Sequence, residues 1–113
     1  MGNWHELELI GKTQAGGTGK PEYKKQGDIV YLQNVVLWTA VVPLPAHFAT
    51  LPKGFRPISQ KSFSVNIRGV TTLVTGSINI DTEGQCTYSM NSLGQTSTSI
   101  NNGPDLSTVS FMI

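Results

Sequence analysis

The residues able to do acid–base or nucleophilic chemistry are few and scattered. His5 and His47 lie on different segments with no nucleophile beside them, which is more typical of surface or packing roles than of catalysis. Asp81 and Glu83 supply the two carboxylates that glycoside hydrolysis requires, but they lie in a predicted hairpin turn, where solvated acids are the ordinary finding. Cys86 has no basic neighbour in sequence, so we interpret it as a core or interface thiol. We therefore expect no catalytic residue in this chain.

The glycine-rich sequence GGTGK at residues 16–20 invites comparison with phosphate-binding loops. It lacks their spacing and the helix that must follow them, so we interpret residues 11–20 as a flexible surface loop without a packed element. A single cysteine permits no internal disulfide, and no Cys/His cluster has the spacing of a zinc site. We expect neither a metal nor another cofactor.

A saccharide-binding surface is the remaining chemical candidate. Sugars are recognised by an aromatic face for their C–H surface and by short polar side chains for their hydroxyls. Both types recur on two predicted strands joined by a turn at residues 81–84, namely Ser77, Asn79, Thr87, Tyr88 and Ser89. In an antiparallel hairpin these side chains can lie within reach of one ligand. An ordinary solvated strand pair is the alternative.

Strands must position these residues, because the hydrophobic period is two throughout the chain. We predict strands at residues 4–10, 21–25, 29–38, 61–67, 70–74, 77–80, 86–90 and 106–113. The prolines between residues 39 and 57 exclude helix interiors and central ladder positions, so edge strand and turn are expected there. About eight or nine short strands with regular turns predict a single all-β domain, an antiparallel β-sandwich or β-barrel.

The predicted strand at residues 29–38 is apolar on both faces. Ile29, Tyr31, Val35 and Leu37 share one face, and the even-numbered apolar residues share the other. A strand of this kind in a small all-β protein indicates burial against the facing sheet on one side and against another subunit on the other.

Length and charge exclude several other classes. The chain has 113 residues, enough for one domain, and only 13% of them are charged, too few for long soluble helices or a coiled coil. Eight basic and seven acidic residues leave no electrostatic footprint for nucleic acid or an anionic membrane. The sequence also lacks the pattern of a signal peptide and any apolar run of membrane-spanning length.

Four pieces of sequence occur in a characteristic order: Trp4, then PEYKKQGDIVYL at residues 21–32, LPKGFRP at residues 51–57, and INIDTEG at residues 78–84. Their order resembles that of the carboxyl-terminal head domains of receptor-binding and tail-fibre proteins from phages of Gram-positive bacteria, including the lactococcal siphophages. The resemblance covers nearly the whole chain. It implies a jelly-roll-like β-barrel head that forms a homotrimer and lacks its stem here.

The same resemblance implies a location and partners. The head would be displayed on the virion at the tail tip or baseplate, beside other tail proteins. Its ligand would be a host cell-wall polysaccharide or teichoic-acid-like glycan. For the trimer axis we predict contacts by Val30, Leu32, Val36 and Trp38.

The resemblance also implies a saccharide site. In lactococcal members the saccharide site is similar to a His-x-Asp pattern before the hairpin, with an aromatic residue after it. The matching positions here predict a saccharide site at Ser77, Asn79, Tyr88 and Ser89. Since the His, the Asp and a later arginine are absent, we expect a less acidic ligand or a site elsewhere.

The LPKGFRP segment is predicted to be a rigid turn rather than a binding site. Its prolines fix φ, its glycine allows a positive φ, and its arginine can donate to neighbouring carbonyls while the leucine and phenylalanine are buried. The structural residues are Leu51, Pro52, Gly54, Phe55, Arg56 and Pro57.

Three functions remain open at this point. The first is a non-enzymatic adhesion module of a virion. The second is a cell-wall-targeting carbohydrate-binding domain appended to a phage-tail hydrolase. The third is a structural trimerisation cap whose surface binds nothing, and glycan binding by the isolated domain separates it from the first two.

Overall fold

A computed structural model describes residues 3–16, 19–68, 75–90, 97–98 and 102–113. Within these ranges the strands are β1 (His5–Glu6), β2 (Thr13–Ala15), β3 (Glu22–Gln26), β4 (Ile29–Gln33), β5 (Val36–Trp38), β6 (Ala46–Thr50), β7 (Lys61–Arg68), β8 (Thr75–Ile80), β9 (Gln85–Met90), β10 (Gly103–Pro104) and β11 (Ser110–Met112). A single turn of 3₁₀ helix, η1, spans Leu106–Thr108. Where these strands pair with one another, the pairing is antiparallel. The predicted all-β class is therefore confirmed.

Two main sheets enclose one core. One sheet has the strand order β1-β3-β4-β11 and the other β10-β7-β8-β9-β6, while β2 pairs with β5 in a small third sheet. Buried side chains from both main sheets belong to one hydrophobic cluster. Phe63 on β7 and Phe111 on β11 lie with ring centroids 6.4 Å apart, which joins the two sheets directly. No helix in the described part of the chain is long and apolar enough to cross a membrane.

The strand predicted at residues 29–38 is interrupted in the structure. Asn34 adopts a positive φ of 74°, a conformation that asparagine tolerates better than most residues, and it separates β4 from β5. The Asn34 carbonyl accepts from the Leu106 amide (2.9 Å), and its side-chain amide donates to the Lys20 carbonyl (2.8 Å). Backbone contacts with distant segments therefore fix this break.

The prediction of trimer contacts on this strand is wrong. The four predicted side chains are each at most 2% exposed in a single chain, and all four belong to the core: Val30, Leu32, Val36 and Trp38. They have no surface left for a neighbouring subunit. The opposite face of β4, with Ile29 and Tyr31, is only half-buried, so it is the side available to another molecule.

Residues 11–20 contain an element that the sequence did not suggest. β2 pairs along β5, and the amide of Gly16 donates to the carbonyl of Val35 at 2.8 Å. Ladder hydrogen bonds need only backbone, so the lack of large apolar residues did not prevent a strand. Residues 17–18 of that segment, residue 69, the predicted strand at 70–74 and much of the polar stretch at 91–105 lie outside the described residues.

The turn at residues 51–57 ties the two sheets together. Leu51 is fully buried, its amide donates to the Gly84 carbonyl at 2.8 Å, and its own carbonyl accepts from Arg56 Nε at 2.8 Å. Gly54 has a φ of +91°. Phe55 packs edge-on against Tyr23 of β3, with ring centroids 4.9 Å apart. The turn therefore contacts both the hairpin β8–β9 and the opposite sheet.

We predict that Gly84→Ala destabilises the domain far more than Gly27→Ala. Both glycines have a positive φ, but a Cβ at Gly84 would overlap the Leu51 carbonyl oxygen, while a Cβ at Gly27 meets nothing within 4 Å. The expected loss in free energy of unfolding is about 2–4 kcal/mol for Gly84→Ala and about 1 kcal/mol for Gly27→Ala. Urea denaturation of both variants measures the two losses in free energy of unfolding. Equal losses would show that the Leu51 carbonyl oxygen leaves room for a side chain at residue 84.

Candidate functional site

The outward side of β7, β8 and β9 is built from short, uncharged polar side chains. The register places Ser62 opposite Asn79, and on the other flank it pairs Asn79 with Thr87 and Ser77 with Ser89. Since strand side chains alternate, residues sharing this register point away from the core. We call this surface the polar sheet face, and it consists of Ser62, Ser64, Asn66, Ser77, Asn79, Thr87 and Ser89.

Hydrogen bonds orient two groups on or beside the polar sheet face. The Ser62 hydroxyl donates to Asn79 Oδ1, which fixes the Asn79 amide and identifies Nδ2 as its donor side. At the neighbouring edge strand, His47 lies opposite Thr87, and its Nε2 is 2.8 Å from the Ala49 carbonyl oxygen. A carbonyl only accepts, so His47 Nε2 carries the hydrogen. The surface thus offers oriented amide and hydroxyl groups.

Tyr88 is not part of this surface, so its predicted role in stacking on a sugar is wrong. It pairs with Ile78, is 1% exposed, and stacks on Trp38 with ring centroids 5.0 Å apart. Burial raises the pKa of Tyr88 to about 12. The sequence carried this signal, because a register that pairs Asn79 with Thr87 must turn residue 88 to the opposite face.

A groove on the other main sheet was missed by sequence reasoning. Trp4, just before β1, is 37% exposed, and the ammonium of Lys24 lies 4.7 Å from its ring centroid and 5.8 Å from that of Tyr31. We call this the Trp4 groove; its volume is about 440 Å³, and its lining residues are Trp4, Lys24, Gln26, Tyr31, Leu32, Gln33 and Ser107. Lys24 faces Tyr31 across the β3–β4 ladder, a pairing visible only once the register is known.

The carboxylate and thiol considered for chemistry have structural surroundings. Asp81 Oδ1 accepts from the amides of Glu83 (3.0 Å) and Gln85 (2.9 Å), so it caps the hairpin turn. Burial, with a smaller contribution from the charge of Asp81, raises the pKa of Cys86 to about 12 and keeps it a neutral thiol. Among the residues that the structure describes, no group of three or more His, Cys, Asp or Glu side chains could hold a metal ion.

Comparisons with known proteins identify the fold. No protein-family model matches the sequence, and no curated protein matches it either. The structure is similar to the head domain of phage bIL170, which was described among the receptor binding domains of lactococcal phages, with a TM-score of 0.70 and 18% sequence identity. The match covers 100% of this chain and 99% of that one. The predicted resemblance to a lactococcal phage head domain is therefore confirmed at the level of the fold.

We predict that the stability of the domain falls as the pH rises above about 9, and that Cys86→Ala removes the first part of this loss. Folding raises the pKa of the thiol from 9.0 to about 12, so the folded state holds a proton that the unfolded chain releases first. Between pH 10 and 11 this group alone contributes a slope approaching about 1.4 kcal/mol per pH unit. Urea denaturation at several pH values measures how the free energy of unfolding changes with pH. Identical slopes for the parent domain and for Cys86→Ala would contradict the burial of Cys86.

Proposed function

We propose that this chain is the receptor-binding head domain of a phage tail and that it attaches the virion to saccharides of the host cell wall. The observation that carries the proposal is the end-to-end fold match to a phage head domain, with neither chain holding a substantial unmatched part. A fold hosts more than one function, so the proposal also needs a surface suited to such a ligand.

The polar sheet face supplies a surface of this kind. Its hydroxyls both donate and accept, and the Asn79 amide does each on a different atom, which suits the hydroxyls of a sugar. None of its seven defining side chains is charged, so none would oppose the binding of a neutral polymer by the desolvation of a charge. Ser77, Asn79 and Ser89 lie at its centre on paired strands, and we assign the saccharide contacts to them.

The homotrimer and the position at the tail tip or baseplate form part of the same proposal. The core residues of β4 and β5 take no part in the subunit contact, because they are buried within one chain. At the start of β4, outside the residues that line the Trp4 groove, half-buried Ile29 pairs with Met112 of β11, which is 66% exposed. These apolar side chains are suited to burial between copies.

We predict that Asn79→Ala lowers binding of the isolated domain to purified lactococcal cell walls by roughly tenfold, since a lost hydrogen-bonding partner costs about 1–2 kcal/mol. Binding of labelled domain to walls from a panel of strains measures this. Gln14→Ala is the matched control, because Gln14 is an exposed amide on the small β2–β5 sheet and its loss should change nothing. Periodate oxidation of the walls, which cleaves vicinal diols of sugars, should abolish binding of the parent domain.

Two results would contradict this assignment. Unchanged binding of Asn79→Ala, with the parent domain still sensitive to periodate, would move the saccharide site away from the polar sheet face. Failure of the parent domain to bind any wall in the panel would favour the structural cap over an adhesion module.

We predict a solution mass of roughly 37 kDa, three times the 12.2 kDa chain, by light scattering after size exclusion at micromolar concentration. Met112→Glu should shift the mass toward one chain while leaving the circular dichroism spectrum unchanged, because the substituted side chain is exposed. A parent domain of one-chain mass would overturn the trimer.

A further inference from the structure

The Trp4 groove is shaped by three separate segments. β3 and β4 supply its floor through outward side chains, since the register pairs Lys24 with Tyr31 and Gln26 with Ile29. Trp4 enters from the segment before β1, and Ser107 comes from η1. Its volume of about 440 Å³ falls within the range of small-ligand sites, about 300–1,000 Å³.

No carboxylate among the described residues forms an ion pair with the Lys24 ammonium in the groove. The ammonium lies between two aromatic rings, 4.7 Å from that of Trp4 and 5.8 Å from that of Tyr31. The ion pair found among the described residues instead joins Lys20 to Glu6. A cation over aromatic rings keeps its hydrogens and charge for an incoming anion, so Lys24 is positioned to donate to a phosphate or carboxylate oxygen.

The other lining groups fit a sugar ring. Trp4 is 37% exposed, whereas Trp38 is 2% exposed, so Trp4 presents aromatic surface to solvent beside the groove. Gln33 is oriented by donating from Nε2 to Glu22 Oε1 at 2.8 Å, and Gln26 and Ser107 add further polar groups. An aromatic surface next to amide and hydroxyl groups is the combination that saccharides require.

We propose that the Trp4 groove is a second ligand site, separate from the polar sheet face, and that it binds a sugar ring carrying an anionic phosphate or carboxylate group. The inference rests on the proposed attachment to wall saccharides and adds the site and the charge of one ligand unit. The groove contains the charged Lys24, and Glu22 lies at its edge, where Oε1 accepts from the lining residue Gln33; charged residues are depleted at the centre of subunit interfaces. A ligand is therefore favoured over a second copy of the chain.

The groove is tested with four small probes and the two indole N–H signals of the isotope-labelled domain. Trp4→Phe identifies which signal belongs to Trp4, and buried Trp38 provides the internal reference. Glucose 1-phosphate and glucuronate should shift the Trp4 signal, glucose should shift it only at higher concentration, and inorganic phosphate should shift it weakly. A response to only one of the two acids identifies the anionic group. Absence of a Trp4 response to both acids would overturn the inference.

Charge variants separate the groove from general electrostatics. Lys24→Gln should weaken binding of whichever acidic sugar responds by roughly tenfold and leave glucose unchanged, since it removes one charge-assisted hydrogen bond. Lys53→Gln is the matched control, because Lys53 is an exposed lysine of the turn at 51–57 and does not line the groove. Equal weakening by both variants, or none by Lys24→Gln, would overturn the assignment.

Further readouts distinguish the ligand site in the Trp4 groove from the polar sheet face, from a subunit contact and from the proposed wall attachment. Asn79→Ala should leave the Trp4 response intact, because Asn79 lies on the other main sheet. A Trp4 signal that moves with protein concentration in the absence of any probe would identify the groove as a subunit contact and overturn the ligand site. If the acidic sugar shifts the Trp4 signal but the domain binds no cell wall, the ligand site is supported and the proposed wall attachment fails. If the domain binds cell walls but neither acidic sugar shifts the Trp4 signal, the wall attachment is supported and the ligand site in the groove fails.

Discussion

The ring stack of Trp38 on Tyr88 is the contact on which the rest of the molecule depends. The rings are nearly parallel, with an interplanar angle of 28°, and Phe48 adds an edge contact to Trp38 at 6.0 Å. The three rings come from β5, β9 and β6, so one cluster joins the small sheet to the five-stranded sheet. Aromatic pairs of this kind contribute about 0.5–1.5 kcal/mol beyond the burial of their area. Because Tyr88 must point inward, its neighbours Thr87 and Ser89 must point outward, and this sets the chemistry of the polar sheet face.

The same alternation divides the two consecutive lysines of β3. Lys25 Nζ donates to the Gly54 carbonyl at 3.1 Å and lies 5.5 Å from the Phe55 ring centroid, so it holds the turn at residues 51–57 against the sheet. Lys24 points to the other side and enters the Trp4 groove. One lysine therefore stabilises the fold, while its neighbour faces the groove proposed to bind a ligand.

Local patterns in the sequence were enough for the fold class but not for the positions of all side chains. The period of two predicted the strands, and it already contained the inward position of Tyr88 once the hairpin register was drawn. By contrast, the break at Asn34 depends on Leu106 and Lys20, which are distant in sequence. The groove around Lys24 was equally hidden, because it forms only when β3 and β4 pair beside Trp4. The hydrophobic period and the composition do not predict which distant segments pair with each other.

The low charge of the chain gives its two candidate surfaces different chemistry. Only 13% of the residues are charged, and none of the seven that define the polar sheet face is. The Trp4 groove on the other main sheet holds Lys24, which forms no ion pair with a carboxylate in the described part of the chain. In the proposed attachment to a wall polymer, whose unit repeats many times, the two proposed sites on one domain would engage the same polymer. Once the first site is occupied, the second binds at a high effective concentration, and the combined affinity can exceed either alone by about 10²–10⁴-fold. The extent of the domain, 38 × 28 × 24 Å, sets the span that a polymer segment must bridge for this gain. Hydroxyl recognition at one surface and charge recognition at the other would then discriminate between polymers by the spacing of their acidic groups.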